Sequence, residues 1–270
     1  MPEAAEVRLV GDMLSLTAGY QIVSAKVIGG RYARAQIDLS ELFGATIERI
    51  IMKGKLLIFA LRKNDEVFAA LSTLGMTGWW YRVDANSPLP NTVERNVRIQ
   101  LELNDGSVLA FIDPRNFGTF KITNWMMSKI KLAELGPDIM TAEHLVLSTA
   151  LPEFKTRVVR FGRKQTVAEA LLDQRIAAGC GNYIRADAMH WASISPLRAV
   201  TSLSDEELAR LWNAMRLIAV SAYHDESMLK KDEGFSNLCY GQKTGMNGGT
   251  IETFTDKNGR TVWYCPTEQF

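Results

Sequence analysis

Residues 97–112 read Val-Arg-Ile-Gln-Leu-Glu-Leu-Asn-Asp-Gly-Ser-Val-Leu-Ala-Phe-Ile, and this stretch decides the fold class of the N-terminal half. Apolar and polar residues alternate over its first seven positions, as they do in a strand with one buried face. Asn104-Asp105-Gly106 is typical of a tight turn, after which residues 108–112 would run back as a partner strand. The stretch therefore predicts an antiparallel β-hairpin.

Similar short apolar stretches precede this hairpin. Lys53-Gly54 and Asn64-Asp65 separate them, and the stretches cover residues 47–52, 56–61 and 67–71. Many short strands joined by tight turns favour an antiparallel β-sandwich or a barrel. The N-terminal half of the chain is therefore expected to be rich in β-structure.

Helical patterns occur on both sides of this β-rich part. Apolar residues at helical spacing predict a first helix over residues 2–16. Beyond Leu135-Gly136-Pro137 the alternating pattern ends and helical spacing returns. Thr166 and Glu169 are spaced as a capping box, which predicts the start of a helix that runs to about Ala178.

A second helix and a terminal hairpin complete the C-terminal half. Ser204 and Glu207 predict another capping box, and the apolar stripe behind it consists of Leu208, Leu211, Trp212, Met215 and Ile218. Between the two helices, Gly179-Cys180-Gly181-Asn182 would end one helix and begin the next, with Asn182 as its N-cap. Residues 250–255 and 260–265 predict the hairpin, so the fold class is α+β.

Composition limits the classes to which the chain can belong. It has 270 residues, of which 47% are hydrophobic and 23% charged, so it can form two domains with a sizeable core. Three scattered cysteines are too few for a disulfide framework and suggest a reducing compartment. No apolar run approaches the roughly 20 residues of a membrane span, and the acidic N-terminus does not resemble a secretory signal. We therefore expect an intracellular protein, cytoplasmic or nuclear, without a membrane partner.

Charge is distributed unevenly along the chain. The formal net charge of +1 does not by itself indicate a nucleic-acid partner. Nevertheless, five bases and no acid stand within ten residues, and these bases are Lys155, Arg157, Arg160, Arg163 and Lys164. Such a run is usually a solvated face. Next to a DNA-binding site it would add nonspecific, salt-sensitive affinity.

The N-terminus offers a candidate nucleophile. Removal of the initiator methionine would leave Pro2 with a free secondary amine, and an α-amino group has an ordinary pKa of about 7.7–8.0. Part of it is therefore neutral near pH 7 and can attack an aldehyde-level carbon to give an iminium ion. Glu3 stands beside it as a proton carrier. Taken alone, Met-Pro-Glu is also an ordinary start of a protein.

Seven motifs along the chain, in this order, resemble those of the formamidopyrimidine-DNA glycosylase and endonuclease VIII family. They are Met1-Pro2-Glu3-Ala4-Ala5-Glu6-Val7, Gly54-Lys55, Leu74-Gly75-Met76-Thr77-Gly78, Asp113-Pro114-Arg115-Asn116-Phe117-Gly118, Leu135-Gly136-Pro137, Leu171-Leu172-Asp173-Gln174 with Gly179-Cys180-Gly181-Asn182-Tyr183, and Gly259-Arg260 through Tyr264-Cys265-Pro266. Each motif is loose, but the resemblance covers essentially the whole chain. Ala4-Ala5 departs from the usual small residue followed by proline, which affects the rigidity of the turn rather than the chemistry.

The resemblance implies catalytic roles for residues near the N-terminus. Pro2 would attack the sugar C1′ atom, displace the damaged base and form a Schiff base. Glu3 would protonate the sugar ring oxygen and later assist proton removal at C2′. Glu6 resembles the family acid that lines the base pocket, and Lys55 would contact a phosphate near the lesion. Outside the family context, Lys55 would be taken for a surface lysine.

The resemblance also implies a set of DNA-binding residues. Met76, Arg115 and Phe117 resemble the family trio that fills the space left by the flipped base, whereas by pattern alone Met76 and Phe117 would be core residues. Asn182 would lie in a helix-two-turn-helix motif, where free N–H groups and the positive helix end form a phosphate site. From spacing alone it is a simple helix cap. Arg260 resembles the phosphate-binding arginine of the family's terminal hairpin.

One departure from the family concerns its four-cysteine zinc finger. Gly245-Met246-Asn247-Gly248-Gly249 stands where the first Cys-x-x-Cys pair would be, and Cys265-Pro266-Thr267-Glu268 retains one cysteine of the second. One thiolate without a nearby histidine cannot make the tetrahedral site that zinc prefers. We expect no metal and no other cofactor. The chain resembles the zincless-finger branch, whose hairpin would be stabilised by cross-strand packing of Thr253, Phe254, Val262 and Trp263.

The resemblance predicts four segments. They are an N-terminal β-sandwich catalytic domain (1–135), a linker (136–145), a helix-two-turn-helix domain (146–236) and a zincless-finger β-hairpin (237–270). It implies a monomer that binds damaged DNA and acts as a bifunctional base-excision-repair glycosylase and AP lyase. Residues 181–187 look closer to the endonuclease VIII-like branch, and residues 221–235 are short for a loop that grips 8-oxoguanine, so oxidised pyrimidines are the expected substrates.

Three alternatives remain open at this level. The chain could prefer 8-oxoguanine or formamidopyrimidine lesions. It could be a DNA-binding protein that retains the helix-two-turn-helix but has lost catalysis, against which the intact Pro2, Glu3, Lys55 and Arg260 argue. An N-terminal-proline enzyme of the tautomerase type is a third possibility, but such enzymes are much shorter and have no use for the turn before Asn182.

Overall fold

The computed structural model describes residues 1–84, 91–140, 150–227 and 236–270. The chain forms two compact units. The first comprises residues 1–2 and 6–132, and the second comprises residues 3–5 and 133–270. No helix among the described residues has the length and apolar character needed to cross a membrane.

The first unit contains a β-sandwich. Its strands are β1 (Ile22–Val27), β2 (Thr46–Lys53), β3 (Leu56–Lys63), β4 (Glu66–Thr73), β5 (Trp79–Val83), β6 (Val97–Leu103), β7 (Val108–Ile112) and β8 (Thr119–Asn124). One sheet has the order β1-β6-β7-β5 and the other has the order β2-β3-β4-β8, with every pair antiparallel. The antiparallel sandwich predicted from the sequence is therefore confirmed.

Aromatic side chains from both sheets meet in the core of this unit. The Trp80 ring lies 5.3 Å from Phe59, 5.0 Å from Phe111 and 5.5 Å from Phe120, measured between ring centroids. Trp80 and Phe111 come from one sheet, and Phe59 and Phe120 come from the other. Each aromatic pair contributes about 0.5–1.5 kcal/mol beyond its buried area. The buried Trp80 also donates its indole N–H to Ser72 Oγ at 3.0 Å, so its polar atom is satisfied.

The predicted strands agree closely with those observed. The hairpin predicted over residues 97–112 is β6 and β7, and β2, β3 and β4 extend the predicted stretches by one or two residues. The first helix is α1 (Ala4–Ser15), slightly shorter than predicted. Short or weakly patterned elements were not predicted, namely β1, β5, β8, α2 (Gly30–Arg34), α3 (Asn91–Glu94) and α4 (Trp125–Glu134).

The second unit contains the remaining helices. They are α5 (Ala150–Phe161), α6 (Val167–Leu172), α7 (Asn182–Trp191) and α8 (Asp205–Ser227). Both predicted capping boxes are present, since Thr166 Oγ1 accepts the Glu169 N–H at 3.4 Å and Ser204 Oγ accepts the Glu207 N–H at 3.2 Å, while each glutamate reaches back to the cap's own N–H. The predicted apolar stripe of α8 is buried, and its Trp212 packs on Phe154 at 5.1 Å.

The prediction that the helix after Thr166 runs to about Ala178 was wrong, because α6 ends at Leu172. Asp173 adopts an extended backbone, and its carboxylate accepts the Arg175 N–H at 3.0 Å. The side chain of Gln174 then accepts the Gly179 N–H and donates to Cys180 O, both at 2.9 Å. These side-chain bonds to the backbone replace helical bonds and hold two successive turns.

The chain ends in the predicted β-hairpin, formed by β9 (Glu252–Thr255) and β10 (Thr261–Tyr264). Val262 pairs with Phe254 and Trp263 pairs with Thr253, as expected from cross-strand packing. Val262 is buried in the core of the second unit, against which Phe254 packs. The segment boundaries 135/136, 145/146 and 236/237 stay predictions. Residues 141–149, which include the second half of the predicted linker, lie outside the described residues.

Candidate functional site

The carboxylate of Glu3 is fixed at the beginning of α7. Its Oε1 accepts the Tyr183 N–H at 3.0 Å and its Oε2 accepts the Ile184 N–H at 3.2 Å, while Ala4 N donates to Gly179 O at 3.1 Å. Glu3 is only 1% exposed, so these bonds compensate for its burial. Amide donors and the positive helix end favour a negatively charged group here. Pro2, the neighbour of this fixed carboxylate, is partly exposed.

The prediction that Asn182 is the N-cap of α7 was wrong, because Gly181 occupies that position without a side-chain cap and Asn182 is the first helical residue. Glu3 takes the N–H groups that a capping side chain would otherwise bind. The side chain of Asn182 is bound elsewhere, since its Oδ1 accepts from Arg185 Nη2 at 2.6 Å. Asn182 remains half-buried.

Two further candidate site residues, Glu6 and Lys55, lie in the first unit. Glu6 is half-buried in the first turn of α1. Lys55 is half-buried in the two-residue turn between β2 and β3. Gly54 has a φ of 56° there, a left-handed conformation that glycine adopts easily. The tight turn therefore fixes the backbone position of Lys55.

Met76, Arg115 and Phe117 come together on two loops that touch. A Cβ added to Gly75 would lie 2.5 Å from Gly118 N and from the carbonyl carbon of Phe117, so only glycine allows this approach. Phe117 is 50% exposed and carries the Arg115 guanidinium 4.9 Å from its ring centroid. Exposing an aromatic ring costs free energy in water. The pair therefore places an exposed aromatic ring and an exposed cation side by side on this loop.

Hydrogen bonds lock these two loops to each other. Asp113 Oδ1 accepts from Thr77 Oγ1 at 2.8 Å, and Asp113 Oδ2 accepts the Gly118 N–H at 2.7 Å. Thr77 Oγ1 in turn accepts the Arg115 N–H at 3.3 Å. Arg98 donates through Nε to Asp113 O at 2.9 Å, although it lies on the nominally polar face of β6. The loop is held by Thr77, Asp113 and Arg98, none of which was selected as a site residue from the sequence. Thr77 and Asp113 belong to motifs that were recognised there, whereas Arg98 does not.

A buried guanidinium connects Asn182 to the terminal hairpin. Arg185 Nη1 pairs with Asp256 Oδ2 at 3.0 Å, and Arg185 Nη2 donates to Thr261 O at 3.1 Å as well as to Asn182. Asp256 Oδ1 accepts the N–H of Arg260 at 2.9 Å. Burial opposes the charged form of Asp256, but the bonds from Arg260 and Arg185 outweigh it and lower the pKa of this carboxyl. Arg260 is exposed on the turn that this network holds.

Glu268 organises the segment that contains residues 245–249. Its Oε1 accepts the Gly249 N–H at 2.7 Å and its Oε2 accepts the Asn247 N–H at 3.2 Å. His190, also near Glu268 Oε2 at 3.4 Å, accepts the Met246 N–H at 3.0 Å. Within the described part of the chain, no group of three or more His, Cys, Asp or Glu side chains is arranged to hold a metal ion.

The stretch 221–235, whose length bears on lesion preference, is only partly described. Residues 221–227 belong to α8, whereas residues 228–235 lie outside the described residues. The expectation drawn from the length of this stretch therefore stays a prediction.

Comparison with known proteins identifies related sequences. The model of the formamidopyrimidine-DNA glycosylase N-terminal domain matches residues 1–120. A formamidopyrimidine-DNA glycosylase of Thermus thermophilus is 34% identical over 225 residues, which cover 83% of this chain and 74% of the relative. The protein of the same name from Erythrobacter litoralis is 30% identical over 245 residues, covering 83% of this chain and 82% of the relative.

Solved structures share the fold along the whole chain. Lactococcus lactis formamidopyrimidine-DNA glycosylase, non-covalently bound to DNA with an AP site, matches with a TM-score of 0.76 at 22% identity and 99% coverage of both chains. A viral DNA glycosylase matches with a TM-score of 0.78 at 18% identity, covering 99% of this chain and 100% of the other. At these identities the structures establish the common α+β architecture.

Proposed function

The chain belongs to the formamidopyrimidine-DNA glycosylase family, and from this membership we propose that it is a base-excision-repair DNA glycosylase with AP-lyase activity. The observation that carries the proposal is the placement of the Glu3 carboxylate. Two amide N–H groups of α7 hold this carboxylate, and Glu3 directly follows in sequence the proposed nucleophile, Pro2. A fixed carboxylate next to an amine supplies the acid–base partner that imine chemistry needs.

In the proposed first step, the neutral Pro2 nitrogen attacks C1′ of the damaged nucleotide after removal of Met1. The bond between C1′ and the base breaks, and a proton from solvent neutralises the leaving base. The Glu3 carboxylate takes the proton that the Pro2 nitrogen loses and passes it to the ring oxygen as the ring opens, which leaves an iminium ion on Pro2. General acid–base assistance of this kind contributes about 10²–10⁴-fold to rate.

The proposed second step cleaves the DNA strand. The iminium withdraws electrons, so Glu3 can remove a proton from C2′ and the C3′–O bond to phosphate breaks. A second elimination breaks the C5′–O bond, and hydrolysis of the imine returns Pro2. The product is a one-nucleotide gap, and atoms balance without any oxidant or cofactor.

The proposed binding roles follow the geometry of each unit. Phe117 and Met76 fill the space left by the flipped base, and Arg115 bonds the unpaired opposite base. Glu6 lines the base pocket. Lys55, Asn182 and Arg260 bind phosphates. Arg185 bonds Asn182 directly and is linked to Arg260 through Asp256. We propose a monomer acting on damaged DNA.

We propose oxidised pyrimidines as the preferred lesions, since residues 181–187 resemble the endonuclease VIII-like branch. A second candidate is favoured by the comparisons, because the relatives from Thermus thermophilus and Erythrobacter litoralis are named for formamidopyrimidine excision. Single-turnover excision from matched duplexes containing thymine glycol, formamidopyrimidine or 8-oxoguanine separates these possibilities. Faster release of either purine lesion than of thymine glycol would contradict the pyrimidine preference.

Borohydride trapping tests the chemistry. Protein incubated with a duplex containing thymine glycol or an abasic site should form a reduced covalent adduct, and peptide mass spectrometry should place it on the α-nitrogen of Pro2. The variant Pro2→Gly, which replaces the secondary amine, should form much less adduct. An adduct on Lys55 would refute the proposed nucleophile. If the protein binds these duplexes but no lesion gives an adduct, the non-catalytic DNA-binding alternative is correct.

A further inference from the structure

The turn of the terminal hairpin contacts the last residue of the basic run, Lys164, which lies after the end of α5. Lys257 Nζ donates to Lys164 O at 3.2 Å and pairs with Glu169 Oε2 at 2.7 Å. Lys257 stands three residues before Arg260 in the same turn. Within the second unit, residues 163–164 therefore adjoin the loop that presents the proposed phosphate-binding arginine.

The basic run divides into a neutralised half and a half that lacks ion-pair partners. Lys155 pairs with Asp205 at 3.0 Å, and Arg157 pairs with Glu153 at 3.0 Å. Among the described residues, no carboxylate forms an ion pair with the three bases that follow, Arg160, Arg163 and Lys164, and all three are exposed.

The Phe161 ring contacts Arg160, the first of the three bases without an ion pair. The Arg160 guanidinium carbon lies 5.0 Å from the centroid of Phe161, and Arg175 lies on the same ring at 4.8 Å. Arg175 is neutralised by Asp173 at 2.6 Å, whereas Arg160 is not paired among the described residues. Stacking restricts the mobility of Arg160 and leaves its N–H donors available, which lowers the entropic cost of binding an anion.

We propose that Arg160, Arg163 and Lys164, here termed the flanking basic surface, bind the DNA backbone beyond the lesion, continuing the contact made by Arg260. The inference rests on the proposed function of Arg260 as a phosphate ligand. B-DNA carries one negative charge per about 1.7 Å of helix axis. Cations that adjoin one phosphate-binding residue therefore lie close to further phosphates of the same duplex. Such contacts add affinity and orientation but carry no base sequence information.

The salt dependence of DNA binding tests this inference. Affinity for a long duplex with a tetrahydrofuran abasic-site analogue is measured between about 50 and 200 mM salt for the wild type and for Arg163→Ala/Lys164→Ala. Losing two phosphate contacts should lower the slope of log affinity against log salt by about 1.8 and shrink the affinity change over this range about tenfold. Lys155→Ala is the matched control, because it removes a paired base from the same run, and its slope should equal that of the wild type.

Duplex length supplies the second measurement. Duplexes are shortened one base pair at a time, in one series from each end. For the wild-type protein, affinity should begin to fall at a greater distance from the lesion in one series than in the other. The double variant should lack this loss. Slopes equal to the wild type, or an unaltered length dependence, would overturn the flanking basic surface. If Arg260→Ala also leaves the slope unchanged, the fault lies with the proposed phosphate role of Arg260; if only Arg260→Ala lowers it, that role stands and the flanking basic surface falls.

Discussion

At the scale of single residues, the polar side chains that organise the site are bound on several sides at once. Asp113 uses both carboxylate oxygens to join the loop of Met76 to the loop of Phe117. The sequence motif pointed to this loop, but it could not show which residues brace it. Arg98 stands at a polar position of an alternating strand, where pattern predicts solvent, and it is only 8% exposed because it binds loop carbonyls.

The first prediction concerns Asp113→Asn. The amide keeps only one acceptor oxygen, so either the Gly118 N–H or the Thr77 hydroxyl loses its acceptor, and a buried group left unsatisfied costs about 1–3 kcal/mol. The loop carrying Phe117 should become mobile, and affinity for a duplex with an abasic-site analogue should fall about tenfold or more. Fluorescence of 2-aminopurine opposite the analogue measures insertion of Phe117 directly.

Thr77→Ser, which keeps the hydroxyl, is the control for that experiment and should retain most of the 2-aminopurine signal. Because insertion matters only in a duplex, the loss in Asp113→Asn should be larger on duplex than on single-stranded abasic DNA. An equal loss on both substrates would show that Asp113 acts elsewhere.

At the scale of elements, the strong patterns were predictable and the irregular ones were not. The alternating stretch 97–103 and the two capping boxes appear as predicted because each depends on residues adjacent in sequence or one helical turn apart. The end of α6 was mispredicted because the Gln174 side chain bonds the backbone of residues 179 and 180. The cap of α7 was mispredicted because the Glu3 carboxylate binds the N–H groups at the start of this helix. In the case of α7, the capping carboxylate comes from a residue 180 positions away, which local reading does not detect.

The second prediction concerns the segment held by Glu268. Burial opposes its charged form, but hydrogen bonds from Gly249 and Asn247 prevail and lower the pKa of Glu268. A carboxyl with a lowered folded-state pKa stabilises the fold above its unfolded pKa of about 4.3, and this stability is lost as the pH falls through the folded value. Glu268→Gln should therefore melt at a lower temperature than the wild type at pH 7.

The difference in melting temperature between Glu268→Gln and the wild type should shrink as the pH falls below about 4.3, because the wild-type carboxyl then becomes neutral as well. Glu252→Gln, an exposed position on β9, serves as the matched control. If the difference in melting temperature stays constant from pH 7 to pH 3, the negative charge of Glu268 does not contribute to stability.

At the scale of the whole molecule, net charge is a poor guide to the partner. The chain carries only +1, yet Arg160, Arg163, Lys164 and Arg260 are exposed cations without an ion pair among the described residues, and the hairpin turn contacts Lys164 O through Lys257. Whole-chain composition could not show this, since it depends on which bases the fold pairs with acids. Family resemblance predicted the architecture, whereas the distribution of ion pairs required the three-dimensional structure.

The third prediction follows from this local charge. Arg260→Ala should weaken binding to damaged duplex and lower the slope of log affinity against log salt by about one. Filter binding or fluorescence anisotropy over a salt series measures it. Lys243→Ala, another exposed base of the C-terminal segment, is the control. A slope identical to the wild type would show that the hairpin does not reach a phosphate.

The bonds between Glu3 and the first turn of α7 have a practical consequence for anyone producing the protein. Hydrogen bonds fix the first residues of the chain: Ala4 N donates to Gly179 O, and the Glu3 carboxylate accepts from two amide groups of α7. An affinity tag fused ahead of Pro2 would block the proposed nucleophilic nitrogen and add residues next to the buried Glu3. Purification handles belong at the opposite terminus, and a preparation that is inert toward damaged duplex should first be checked for an uncleaved leader.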